Sequence, residues 1–245
     1  MATISPGVEI PFFLQMSPKE RKAIEILVCE DKVNERNCMK MALRGLGYGQ
    51  VTDASSLSQG LKRLDGRVFT HIIFQARKSD ITAAEFLSSA LAKTADTIFL
   101  ASSLEPTIDN VFSLLIAGAR GYLVCPYNIA SLDQAFIQAT KGDPMPPELL
   151  MAKDRNEALV AITMSNLDRV ATTHRQALKF ESVKKLVPPD MAKLRVSAEM
   201  AKVFCEGGFD GFCASLEKFS EKRSNAPSTK LGRLRKRLND NRGEL

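Results

Sequence analysis

Glu25-Ile26-Leu27-Val28-Cys29-Glu30-Asp31 places four consecutive apolar residues directly before two adjacent carboxylates. An apolar run without polar alternation reads as a parallel strand buried on both faces. The charged pair that follows marks its carboxyl end, the edge at which open α/β sheets build their sites.

Working outward, Met39, Leu43 and Leu46 recur at helical spacing and Gly47 supplies a stop. A short strand follows near Gln50-Val51-Thr52, and Ser56 or Ser58 caps a helix through Leu61 and Leu64 that ends at Gly66. His71-Ile72-Ile73-Phe74 is a second buried strand, ending at Gln75. The spacing predicts a helix from Ile81 to Leu91, with Asp80 capping it or facing solvent. Thr97-Ile98-Phe99-Leu100-Ala101 is a strand that ends in Ser102 and Ser103. Asn110 to Ala117 is helical, and Tyr122-Leu123-Val124 is the last strand, before Cys125-Pro126. Ser131 to Thr140 closes the unit as a fifth helix. Five strands alternating with helices across short connections predict an α/β, doubly wound five-stranded parallel sheet. The pattern then turns helical, so an all-α domain follows. The predicted organisation is a lead over 1–22, an α/β domain over 23–145, a helical output or interaction domain over 146–226 and a basic amphipathic helix or tail over 227–245.

The 245 residues are 44% apolar, ample for real cores. Five cysteines without paired short spacing argue against a disulfide framework and fit a reducing compartment. With no apolar run of spanning length, the expectation is a cytoplasmic protein without a membrane span. The net charge of +6 is unevenly placed: through Pro146, 15 basic residues balance 15 acidic ones, and the whole excess lies beyond.

Ile26-Leu27-Val28-Cys29-Glu30-Asp31, then Glu35-Arg36 and Leu46-Gly47-Tyr48, resembles the opening strand, acidic pair and first helix of the receiver domain of bacterial two-component response regulators. Ala117-Gly118-Ala119-Arg120-Gly121-Tyr122-Leu123-Val124-Cys125-Pro126 resembles that family's last helix end and fifth strand. The similarity covers residues 23 to 142 and implies a receiver, or flavodoxin-like, fold. In the family an aspartate at the end of the third strand attacks a phosphoryl donor while Mg²⁺ is held by that aspartate and the acidic pair. Here the matching position is Gln75, and an amide has no comparable charge with which to attack or to ligate a hard cation. The family's lysine before proline is Cys125, whose neutral thiol cannot pair with a phosphoryl group. The hydroxyl position matches Ser102 or Ser103, and Tyr122 matches the aromatic whose rotamer reports phosphorylation. The resemblance therefore implies a degenerate pseudo-receiver with no catalytic residue. Glu30 and Asp31 are read as a remnant acidic pair bonded to loop amides, a weakly held divalent cation being the alternative. No cofactor is expected. His71 and His174 have no nucleophile placed beside them, so an enzyme is not expected.

In the helical half, the region from Glu148 to about Leu186 reads as one long helix or two, with Thr172-Thr173 the weakest point and Val187-Pro188-Pro189-Asp190 as a break. Val160, Met164, Leu167, Ala171, His174 and Leu178 form one stripe. A bundle core is the favoured reading, and a homodimer zipped along the stripe is the alternative. Met191 to Phe204 and Phe212 to Phe219 suggest two further helices. Beyond Pro227, Leu231, Leu234 and Leu238 share a face ringed by Lys230, Arg233, Arg235, Lys236 and Arg237. This segment is a candidate contact for phosphate or for a partner. The functional expectation is a phosphorylation-independent pseudo-receiver joined to a helical output module and acting through protein partners. A nucleic-acid-binding, transcriptional regulator using the basic C-terminus is the alternative.

Overall fold

The structure, a computed structural model, describes residues 15–224. They fall into two units divided between Met151 and Ala152. The first opens with α1 (Pro18–Lys22), where Ser17 and Glu20 form a reciprocal capping box. There follow β1 (Ile26–Cys29), α2 (Val33–Gly45), β2 (Val51–Ala54), α3 (Leu57–Leu64), β3 (His71–Gln75), α4 (Ala83–Lys93), β4 (Ile98–Ser103), α5 (Ile108–Ile116), β5 (Gly121–Val124) and α6 (Ile129–Lys141).

All strands are parallel, in the order β2-β1-β3-β4-β5. This is the flavodoxin-like doubly wound order, and the direction of winding reverses between β1 and β3. The two-residue period of the strands splits the core into two layers. Leu27, Cys29, Ile72 and Phe74 pack on one face with Leu57, Phe86 and Phe99. Ile26, Val28 and Ile73 pack on the other with Met39, Leu43, Leu132 and Phe136. Ile26, Leu27 and Val28 are wholly buried, and each such side chain contributes about 1.5–3 kcal/mol on leaving water.

Several local expectations are resolved or changed. Ser56, not Ser58, caps α3, accepting from Gln59 N at 3.1 Å. Asp80 does not cap α4; that helix is capped by Thr82, reciprocally with Glu85. Asp80 instead accepts from Ser58 N at 3.1 Å and Ile81 N at 3.0 Å, steadying the first turn of α3. A short helix, α7 (Pro147–Leu150), packs against α5 and buries Leu149, which carries the first unit to Met151, beyond the expected boundary at 145.

The second unit contains α8 (Arg155–Ala177), a 3₁₀ segment over Glu181–Leu186, α9 (Val187–Phe204) and α10 (Gly208–Ser224), packed on one another. Three expectations change here. Thr172-Thr173 does not interrupt α8, since Thr173 is buried and donates to the buried Asp190 of α9 at 2.7 Å. Nor do the prolines break the chain: Pro188 and Pro189 lie in the first turn of α9, where their fixed φ and missing N–H cost nothing. The proposed stripe is not the core face. Of its members only Val160 is fully buried, while Leu167 and Leu178 are exposed at 43% and 76%. Beside Leu159 and Val160, the buried residues of α8 are small ones, Ala158, Ala161, Thr163, Thr173 and Ala177, and α9 buries Ser197 and Ala201. The α9–α10 turn is held by Asn156, whose amide donates to Glu206 O at 3.0 Å and accepts from Glu206 N at 2.7 Å. Gly207 and Gly208 supply the positive φ values of +77° and +61° that this turn needs. Among the described residues, no helix is long and apolar enough to cross a membrane.

Candidate functional site

The strand register converges on one edge. Cys29 pairs with Phe74 and Gln75 pairs with Ser102, which sets Glu30 and Asp31, Gln75 and the end of β4 side by side at the winding reversal. Cys125 follows β5 and joins them, its N–H donating to Ser103 O at 2.7 Å.

Gln75 is buried, with 1% exposure, and its amide is fully engaged. Its Oε1 accepts from Asp31 N at 2.8 Å, and its Nε2 donates to Asp31 Oδ2 at 3.3 Å. Glu30, at 5% exposure, accepts from Lys32 N at 3.1 Å. Arg36 donates to Glu30 O at 2.6 Å and Asp31 O at 3.2 Å, and its Nε reaches Asp53 at 3.0 Å, so the first turn of α2 is tied to the β1 loop.

The decisive partner of the acidic pair is Arg77, which the sequence reading did not single out. Its Nη2 donates to Glu30 Oε1 at 2.5 Å and to Asp31 Oδ1, and lies 3.5 Å from Gln75 Oε1. Arg77 follows Gln75 by two residues, with buried Ala76 between them. β3 ends at Gln75, and the chain bends at Ala76 and Arg77, which leaves the guanidinium beside the acidic pair. A cation at that offset from the expected nucleophile position was the available signal.

Charge and burial divide the two carboxylates. Burial pushes the Glu30 carboxyl up from its ordinary range, and the Lys32 amide and Arg77 only partly offset it. Burial acts upward on Asp31 as well, but the Gln75 hydrogen bond and the Arg77 charge outweigh it and hold Asp31 below its usual value. The half-buried Cys125 thiol is driven up, first by burial and then by Glu35 and Glu30, so it stays neutral.

The two serines are placed differently. Ser102 is buried, and its hydroxyl donates to Phe74 O at 3.3 Å, so it serves the sheet. Ser103 stands at the strand end and accepts from Glu105 N at 3.2 Å. Tyr122 packs inward against the core, and its Oη is buried without a hydrogen-bond partner. Beside the acidic pair, a cleft of about 260 Å³ opens between the start of α2 and the loop after β5, lined by Glu30, Glu35, Cys38, Leu104, Cys125 and Tyr127. The basic candidates Lys230, Arg233, Arg235, Lys236 and Arg237 lie outside the described residues.

The first unit has the receiver-type fold. No family model matches the chain. Among solved structures, the chain is similar to chemotaxis protein CheY4 of Vibrio cholerae, with 22% identity and a TM-score of 0.45 over 47% of this chain and 98% of that one. It is similar to a CheY-like receiver domain protein of Methanospirillum hungatei, with 22% identity and a TM-score of 0.44 over 48% of this chain and 94% of that one. A third likeness is to an orphan response regulator of H. pylori, at 22% identity and a TM-score of 0.44 over 49% of this chain and 98% of that one.

Chemically, the receiver-type site holds two carboxylates, a neutral amide, a neutral thiol and a guanidinium. Gln75 brings an uncharged amide to this edge, and the negative charge of Glu30 and Asp31 is balanced by Arg77.

Proposed function

We propose that this chain is a non-catalytic signalling protein in which a pseudo-receiver acts through protein contacts, without aspartyl phosphorylation, and is joined to a helical output module. The observation that carries this reading is the Arg77 guanidinium seated on Glu30 and Asp31 beside the Gln75 amide. A site satisfied by its own cation and its own amide presents a constant surface, whose shape and charge do not depend on a phosphodonor. Glu30, Asp31, Ser103, Tyr122 and Cys125 then act as structural and contact residues on the partner-facing edge.

The test exposes the full chain to a small acyl phosphodonor with Mg²⁺ and examines it by intact-mass measurement and peptide mapping. The expected result is an unchanged mass. Covalent phosphate on an aspartate, Asp31 or Asp80 above all, would overturn the proposal.

A further inference from the structure

The corner that joins α8 to α9 carries an unusual surface. Leu178 at the end of α8, Phe180 in the connection, Leu186 at the end of the 3₁₀ segment and Met191 in α9 are exposed at 76%, 60%, 43% and 48%. Four large apolar side chains so close in sequence, at one end of a helix pair, exceed the scattered exposure that needs no explanation.

The same corner is strongly basic. Between residues 175 and 195 there are six lysines and arginines against two acids. Of those acids, Asp190 is buried and bonded to Thr173, and Glu181 is paired with Lys184 at 2.7 Å. Solvent therefore meets hydrocarbon interleaved with positive charge: Leu178-Lys179-Phe180, then Lys184-Lys185-Leu186.

We infer that this corner is a docking surface for an anionic lipid bilayer. The interleaving selects the occupant. Nucleic-acid phosphates would reward the lysines but return nothing for desolvating Leu178 and Phe180. A bilayer interface offers anionic headgroups to the lysines and hydrocarbon to the apolar tips. It also yields around a protruding helix corner, whereas a docked peptide needs a groove shaped to receive it. The corner lies wholly within the helical unit and does not depend on the pseudo-receiver reading.

The test is co-sedimentation of the full chain with vesicles of phosphatidylcholine alone, or with about one third phosphatidylglycerol. Binding is expected only to the anionic vesicles, falling with added salt. Lys179→Gln, Lys184→Gln and Lys185→Gln together should weaken it about a hundredfold, at about fivefold per lysine. Leu178→Ser with Phe180→Ser should weaken it at least about tenfold. Glu181→Gln adds net positive charge and should tighten binding about fivefold, a gain that misfolding cannot imitate. Equal binding to neutral vesicles, or no binding to anionic ones, would overturn the inference. So would binding that survives these corner variants and disappears when Arg233, Arg235, Lys236 and Arg237 are changed to Gln, which would move the contact to the basic end. Capture of an acidic amphipathic peptide without vesicle binding would also overturn it and make the partner a protein.

Discussion

Replacing Arg77 by Met removes the cation from the acidic pair while keeping most of the side chain's length. Glu30, with its side chain only 6% exposed, loses a charge-assisted hydrogen bond, and Asp31, at 33%, loses another. A charged hydrogen bond contributes about 1.5–3 kcal/mol. The Arg77 side chain is itself 37% exposed, so solvent screening cuts the two contacts together to about 1.5 kcal/mol. The pH dependence follows from the two shifts. The lowered Asp31 value contributes stability that is present above its ordinary unfolded value and is lost as pH falls through the folded one. Glu30, raised by burial, acts oppositely: its contribution is full below the ordinary value and is lost as pH rises through the folded one. Without Arg77 both folded values rise, so the variant suffers most where both groups should be ionised. Calorimetry of the full chain should show the first transition about 3–6 °C lower than wild type near pH 7.5, with the gap narrowing toward pH 4 as Glu30 protonates. About 10 mM Mg²⁺ should restore about 1 kcal/mol to the variant and do little for the wild type, whose guanidinium already fills the role. Equal melting at pH 7.5, or a gap of the same size at pH 4, would refute the argument that Arg77 stands in for a metal ion.

Two further outcomes test the fold around this site and in the helical half. His71 is buried, stacks on Phe136 with ring centroids 5.4 Å apart and meets Thr140 Oγ1 at 2.9 Å. Burial brings its pKa down to about 4, so it is neutral when folded, and its contribution, present above the ordinary value of 6.5, is lost as pH falls through 4. The NMR shifts of the His71 imidazole, assigned by loss of its signals in a His71→Gln variant, should stay flat from about pH 8 to about pH 5; a His71 titration centred near 6.5 would refute this. Asn156→Ala removes both hydrogen bonds to Glu206 and should destabilise the helical unit by about 1–2 kcal/mol in urea unfolding, whereas an unchanged midpoint would show that the turn does not depend on them.

The α/β fold was legible because its signals are local. Ile26 to Cys29 and His71 to Phe74 are uninterrupted apolar runs, and the helices between them carry 3.6-residue patterns with recognisable caps and stops. The helical half was less legible. Apart from Leu159 and Val160, α8 buries alanines and threonines, which carry little hydrophobic signal, while the larger Leu167 and Leu178 stay outside, so a stripe drawn through the large residues left the buried face after Val160. Pro188-Pro189 read as a break because proline at the start of a helix and proline after its end look alike until the cap is known.

At the site, the sequence alone determined the identities and chain order of Glu30, Asp31, Gln75 and Cys125, and with them an amide at the end of the third strand and a thiol before Pro126. Only the tertiary structure decided which hydroxyl serves the sheet, Ser102, and which stands at the edge, Ser103. It alone seated Arg77 on an acidic pair 46 and 47 residues away in the chain. Strands form from neighbours, whose spacing can be read directly. An ion pair across two strands depends on their register and on the path of the loop beyond them, and both are set by the packing of the whole sheet.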